Sequence, residues 1–225
     1  MAGRRRVRSP RDIQKKTRIF LWRHPQVQGY EDGKFWGQTD VALTKLGKTQ
    51  SKAIADYMSR EKLDAIYCSD LRRTYLVAEA VGKAQRRRLK PDRLPELREL
   101  NLGQWEGLNY QQIDRKYPQA LQARAQDLVG YRIEGGESLE DLEKRVIPTF
   151  RKLVEDNLGK LICLIGHAGV NRIILTRCLG APLANLFRLE QDYACLNLID
   201  VYDDGLPVIK GLNLNVVNPL FQDED

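Results

Sequence analysis

The sequence predicts an α/β fold: a three-layer α/β/α sandwich with a mostly parallel central sheet. Two observations predict it. Short apolar runs of β-favouring residues at 19–22, 65–68 and 161–165 each lead, directly or through a loop, into a segment with helical features. Strand-then-helix joints of this kind build parallel sheets with helices on both faces, and they place functional sites beyond the carboxyl ends of the strands. The second observation is size. A chain of 225 residues, 42% apolar and 30% charged, suits one domain. Such a domain buries about 70% of the surface of its extended chain, so it folds without disulfide or metal staples.

Ile19-Phe20-Leu21-Trp22 reads as a buried strand ending at Arg23 and His24. Residues 25–43, with Pro25, Gly29, Gly33 and Gly37 and no helical period, read as a long functional loop. Thr44 then caps a helix running to about Arg60. After the strand at 65–68, Ser69 is placed to cap a helix reaching about Lys83. Residues 91–107 read as a second long loop, and 109–128 as one or two short helices interrupted at Pro118. Ser138 and Asp141 make a capping-box-like start to a helix that reaches Asn157, with Pro148 as a point of kinking. The clearest buried strand follows at 161–165 and feeds a helix at 168–178. Residues 194–202 and 207–212, joined by Asp203-Asp204-Gly205, read as a closing hairpin.

The net charge of +7 raises the question of a polyanionic partner. Residues 1–18 carry eight basic side chains against the single acid Asp12, which accounts for the whole excess; the rest of the chain holds 29 basic and 29 acidic residues. Residues 1–16 are therefore read as a basic disordered arm and 216–225 as a C-terminal tail. A solvated tail is the reading favoured over a tether to nucleic acid or an anionic membrane, and no obligate nucleic-acid partner is expected. The arm has no apolar core of a secretory signal. The longest apolar run is the five residues at 161–165, far below the ~20 needed to span a bilayer. Cys68, Cys163, Cys178 and Cys195 are widely spaced and read as free thiols, so cytoplasm is the expected compartment.

The chain has only two histidines, His24 and His167, and both fall at predicted carboxyl ends of strands. Arg23 and Arg73 are expected at the same edge. A pocket of two imidazoles and two guanidinium forks suits a phosphate: arginine matches its oxygens, and a neutral imidazole is a nucleophile near pH 7.

These residues resemble the histidine phosphatase superfamily, which includes the cofactor-dependent phosphoglycerate mutases. The resemblance runs through Arg23-His24-Pro25, the 37–47 stretch from Gly37 to Gly47, and Ser69-Asp70-Leu71-Arg72-Arg73. It continues in Leu97-Arg98-Glu99-Leu100 with Gly103-Gln104-Trp105-Glu106-Gly107, in Gly135-Gly136-Glu137-Ser138, and in Gly166-His167-Ala168-Gly169. It covers residues 17–215, read as one histidine phosphatase-like domain. It implies His24 as nucleophile, Glu99 as proton donor and acceptor, and His167 as the third catalytic group. Arg23, Arg73 and the Ala168 backbone N–H would bind phosphate, with no metal and no cofactor. Glu106 is read as structural, Ser69 and Ser138 as helix caps. Phe35, Trp36 and Gly37 fall where such proteins contact substrate, although the two aromatics equally suit packing of the loop.

The implied activity is a metal-independent phosphomonoesterase, a phosphatase acting through a phosphohistidine on a small phosphorylated metabolite. The run around Glu99 is similar to that of α-ribazole phosphatases, which puts α-ribazole 5′-phosphate among the candidate substrates. Mutase-type phosphoryl transfer is the alternative, disfavoured by the 36 positions between Glu99 and Gly135, where mutases are longer. A non-catalytic phosphate-binding relative is the other, because Pro25 stands where the family has glycine and removes a backbone donor.

Overall fold

The computed structural model describes residues 14–217. Strand β1 (Lys16–Arg23) alternates its side chains between two apolar layers: Ile19 and Leu21 enter one, Phe20 and Trp22 the other. A strand buried on both faces reads as a continuous apolar run, which is why the sequence shows no polar alternation here. Strand β4 (Leu161–Gly166) repeats the pattern, with Ile162 and Leu164 opposite Cys163 and Ile165. With β2 (Ala65–Cys68), the two-residue β3 (Asp92–Arg93), β5 (Leu196–Tyr202) and β6 (Pro207–Leu214), they form a six-stranded sheet in the order β3-β2-β4-β1-β5-β6. The pairings of β1, β2, β3 and β4 are parallel; β5 and β6 return antiparallel as the expected hairpin.

Helices α1 (Lys45–Met58) and α2 (Arg72–Ala84) cover one face through Ile54, Met58, Val77 and Val81. The other face is covered by α5 (Leu139–Asp156) and α6 (Ala168–Cys178), through Leu142, Val146, Phe150, Val170 and Ile173. This is the three-layer sandwich that the sequence predicts. Two short helices, α3 (Tyr110–Lys116) and α4 (Ala120–Gln126), flank Pro118 as expected.

The capping signals hold at Thr44, whose hydroxyl accepts from the Gly47 N–H, and at Ser138, which forms a full capping box with Asp141. Ser69 is a correction. Helix α2 starts at Arg72, with Leu71 in the capping position and no side-chain cap, and the Ser69 hydroxyl bonds elsewhere. Within 91–107, read as loop, the chain also forms β3 and one-turn 3₁₀ segments at Pro95–Leu97 and Gly103–Trp105. The charge assigned to the arm reaches into the sheet: Lys16 opens β1, and with Arg18 it pairs with buried Asp200 at 2.6 and 2.7 Å. Arg4, Arg5, Arg6, Arg8 and Arg11 lie outside the described residues, as does the tail beyond residue 217. Among the described residues no helix is long and apolar enough to cross a membrane.

Candidate active site

Parallel pairing of β1, β4 and β2 brings their carboxyl ends together, with Arg23 in register with Gly166 and Cys68 with Ile165. His24, Ser69 and His167 therefore leave the sheet side by side. The His24 and His167 rings stand edge to face with centroids 5.2 Å apart, and both are buried. His24 Nδ1 lies 2.8 Å from the carbonyl oxygen of Pro25. A carbonyl only accepts, so Nδ1 carries the proton and the Nε2 lone pair is left open. The backbone N–H of His24 donates to Gly166, which fixes the ring to β4. The proline that replaces glycine here thus serves through its carbonyl.

His167 Nε2 is 2.7 Å from the Ser69 hydroxyl, and its buried Nδ1 has no partner among the described residues. Burial, then the nearby Arg73 charge, holds both imidazoles well below the ordinary histidine value. Both are neutral at pH 7.

Arg73, from the first turn of α2, is almost completely buried. One terminal nitrogen donates to the Thr39 carbonyl at 2.9 Å and the other to the carbonyl of Gly37. Burial lowers its pKa from the usual arginine value, with Glu99, Asp40 and Glu106 acting in opposition. Arg23 is held by the Gln191 carbonyl at 2.6 Å and lies over the Tyr193 ring at 3.7 Å. Cation–π contact of this kind fixes the guanidinium plane. Tyr193 also lies 5.6 Å from the His24 ring, so one aromatic braces both groups.

The Glu99 carboxylate accepts from the Gly169 N–H at 3.0 Å and from its neighbour Leu100 at 2.9 Å. A Cβ on residue 169 would lie 2.4 Å from Glu99 Oε1, so the approach needs glycine. Arg98 does not pair with Glu99; it forms a bidentate pair with Asp70. The backbone around Glu99 is held by Arg145, which donates to the carbonyls of Glu96, Arg98 and Glu99 while pairing with Glu137 at 2.8 Å.

Glu106 accepts the backbone N–H groups of Gly37 and Gln38 at 3.1 and 2.7 Å. It orders the stretch whose carbonyls hold Arg73, in keeping with its structural reading. Gly37 itself faces this network rather than open space: a Cβ there would lie 2.2 Å from the Leu100 carbonyl oxygen. Phe35 and Trp36, by contrast, line a cavity of about 700 Å³ that also contacts Arg23, His24, Glu99 and Ala168. Its outer wall is largely apolar, with Leu121, Leu128, Tyr110 and Phe187 beside Arg124. Arg73 and His167 do not line this cavity; the His167 ring packs edge to face against His24. Among the described residues no cluster of His, Cys, Asp or Glu is arranged to hold a metal ion.

The geometry thus brings together His24, His167, Arg23, Arg73, Glu99 and Ala168. Sequence reading missed Tyr193, Gln191 and Arg145, for which no local pattern exists. It also gave Ser69 the wrong partner, since a serine before a helix carries the same signal whether it caps or contacts a neighbour.

The chain matches the histidine phosphatase superfamily (branch 1) over residues 19–215. It is 28% identical over 199 residues to phosphoserine phosphatase 1 of Hydrogenobacter thermophilus, covering 88% of this chain and 92% of that protein. Identity to glucosyl-3-phosphoglycerate phosphatase of Mycobacterium tuberculosis is 32% over 176 residues, or 75% and 78% of the two chains. A putative α-ribazole-5′-phosphate phosphatase from Escherichia coli superposes with a TM-score of 0.81 at 25% identity, covering 88% of this chain and 96% of the other. With a family match across nearly the whole described chain, and named relatives that are phosphatases, the protein belongs to branch 1 of the histidine phosphatase superfamily.

Proposed function

We propose that this protein is a metal-independent phosphomonoesterase that works through a phosphohistidine on His24. The observation that carries the proposal is the bond from His24 Nδ1–H to the Pro25 carbonyl, which leaves Nε2 as a neutral nucleophile at the wall of the cavity. In the first step Nε2 attacks phosphorus, the bond from phosphorus to the leaving oxygen breaks, and Glu99 in its acid form protonates that oxygen. In the second, water attacks the phosphoramidate, gives its proton to Glu99, and inorganic phosphate departs from His24.

Arg23 and Arg73 supply the positive charge that matches the phosphoryl oxygens as negative charge spreads over them. Nδ1 of His167, unpartnered among the described residues, becomes a donor to the same group when the Ser69 hydroxyl donates to Nε2. The Ala168 N–H, first in α6, adds a donor at a positive helix end. The apolar outer wall supports an ester whose alcohol is bulky and ring-bearing, the class to which α-ribazole 5′-phosphate belongs.

Hydrolysis of p-nitrophenyl phosphate in EDTA, by the wild type and by His24→Ala, tests the reading. Turnover that survives EDTA and falls at least a thousandfold in the variant is expected, on the order of the loss of a covalent nucleophile. Equal rates in the two proteins would exclude His24 as nucleophile. A wild type that binds phosphate esters without cleaving them would mark a non-catalytic relative.

A further inference from the structure

The cavity is more cationic than one phosphoryl group requires. Of the residues lining it, Arg23, Lys34, Arg124 and Arg172 are basic and Glu99 alone is acidic. Arg23 and Arg172 belong to the phosphoryl end: each feels the other's charge, and Arg172 is anchored through its Nε to the Leu189 carbonyl at 2.8 Å. Arg124 is different. It lies on α4, in the outer wall with Leu121 and Leu128, and its guanidinium sits 5.7 Å over the Trp105 ring.

Its Nη1 is buried with no hydrogen-bond acceptor, and no acidic side chain of the described residues pairs with it. A buried guanidinium nitrogen without an acceptor costs free energy that the fold does not recover. Burial also lowers its pKa from the usual arginine value, yet an arginine in such a site stays charged. An unpaired cation in the wall of a ligand cavity, flanked by apolar side chains, has the chemistry of a recognition group.

We propose that Arg124 forms a second anion subsite, so that the substrate is an amphiphilic phosphomonoester: phosphate at His24, an apolar body along Leu121 and Leu128, and a carboxylate or second phosphate at Arg124. This inference rests on the phosphomonoesterase reading and narrows it. Esters that lack a second acidic group, α-ribazole 5′-phosphate included, fall outside the preferred class.

The test uses phenylalkyl phosphates of graded length that end in hydrogen, a carboxamide, a carboxylate or a phosphate. For wild type, kcat/KM at the best length should favour the two anionic ends over hydrogen by about tenfold to a hundredfold, the worth of a hydrogen bond to a charged group. The preferred anion tells carboxylate from phosphate. In Arg124→Met the ratio of anionic to neutral ester should fall to near one, and Arg124→Lys should keep part of it. A ratio within one protein is insensitive to how much of a variant folds. Carboxamide matching carboxylate, no anionic preference at any length, or a ratio unmoved in Arg124→Met would each overturn the proposal. Calorimetric binding of the matching phosphonates separates it from the reading beneath it. If no ester is cleaved, the phosphomonoesterase assignment fails, and the phosphonate affinities for wild type and Arg124→Met still decide the subsite.

Discussion

A single carbonyl, that of Pro25, decides which nitrogen of His24 is open, and a single hydroxyl, that of Ser69, holds the His167 ring at Nε2. Ser69 is itself bonded to Thr74 Oγ1 at 2.8 Å, so His167 is tied to the first turn of α2, the turn that carries Arg73. Ser69→Ala removes the partner of Nε2 and, with it, the acceptor of the Leu71 N–H. Its expected effect is a fall in kcat of about tenfold, with a pH–rate profile displaced from that of wild type because the ring loses its hydrogen-bond partner. Steady-state kinetics from pH 5 to 8 check it; an unchanged profile would mean that Ser69 only fills space. Legibility at this scale follows chain order. His24, Arg73, Glu99 and His167 sit in short motifs whose residue types speak for their chemistry. Tyr193, which braces Arg23, stands in an unpatterned loop before β5 and is brought to the site only by the antiparallel return of that strand.

At the scale of elements, the segment carrying Glu99 has almost no regular structure of its own. Arg145, in the second turn of α5, supplies what a strand or helix would have supplied by bonding the carbonyls of Glu96, Arg98 and Glu99 at 2.6 to 2.8 Å. Burial pushes the Glu137 carboxyl up, but hydrogen bonds from Arg145 and the Asn101 N–H outweigh this and hold it below the usual carboxylate value. Lysine has one donor group where arginine has a fork, so Arg145→Lys cannot hold Glu137 and the carbonyls together. A loss of about 2 kcal/mol in unfolding free energy is expected from the broken network, with kcat reduced as Glu99 loses its position. Urea unfolding and kinetics on the same preparation check it. The sequence signalled α5 through its capping box. It gave no sign of β3, since two residues cannot display a period, and none of the staple between Arg145 and the loop.

For the whole molecule, two buried neutral histidines couple folding to pH. The unfolded chain protonates them near pH 6.5, whereas the native protein holds both well below that value. The unfolded state therefore binds more protons in this window, and stability falls as pH drops below about 6.5, by about 1.4 kcal/mol per pH unit for each histidine. Asp200 acts in the same direction at lower pH. Burial raises its pKa, hydrogen bonds from Arg18 and Lys16 lower it further than that, and the stability this brings is lost on acidification below about pH 4. Urea midpoints at pH 7.5, 6.5 and 5.5 should decline, and inorganic phosphate, by binding the native state alone, should restore them. Midpoints independent of pH would mean that the histidines titrate alike in both states. The sandwich was readable from three apolar runs because local patterns report burial on both faces. Strand order was not, because nothing in a strand's own sequence says which neighbour it will find.

That order bears on synthesis. Strand β4 is bonded to both β1 and β2, which do not touch each other. Until residue 166 has left the ribosome, the nascent chain holds β1 and β2 without the strand that joins them. His24 and Arg73 then wait for His167, and the pocket is assembled only after β4 has joined them.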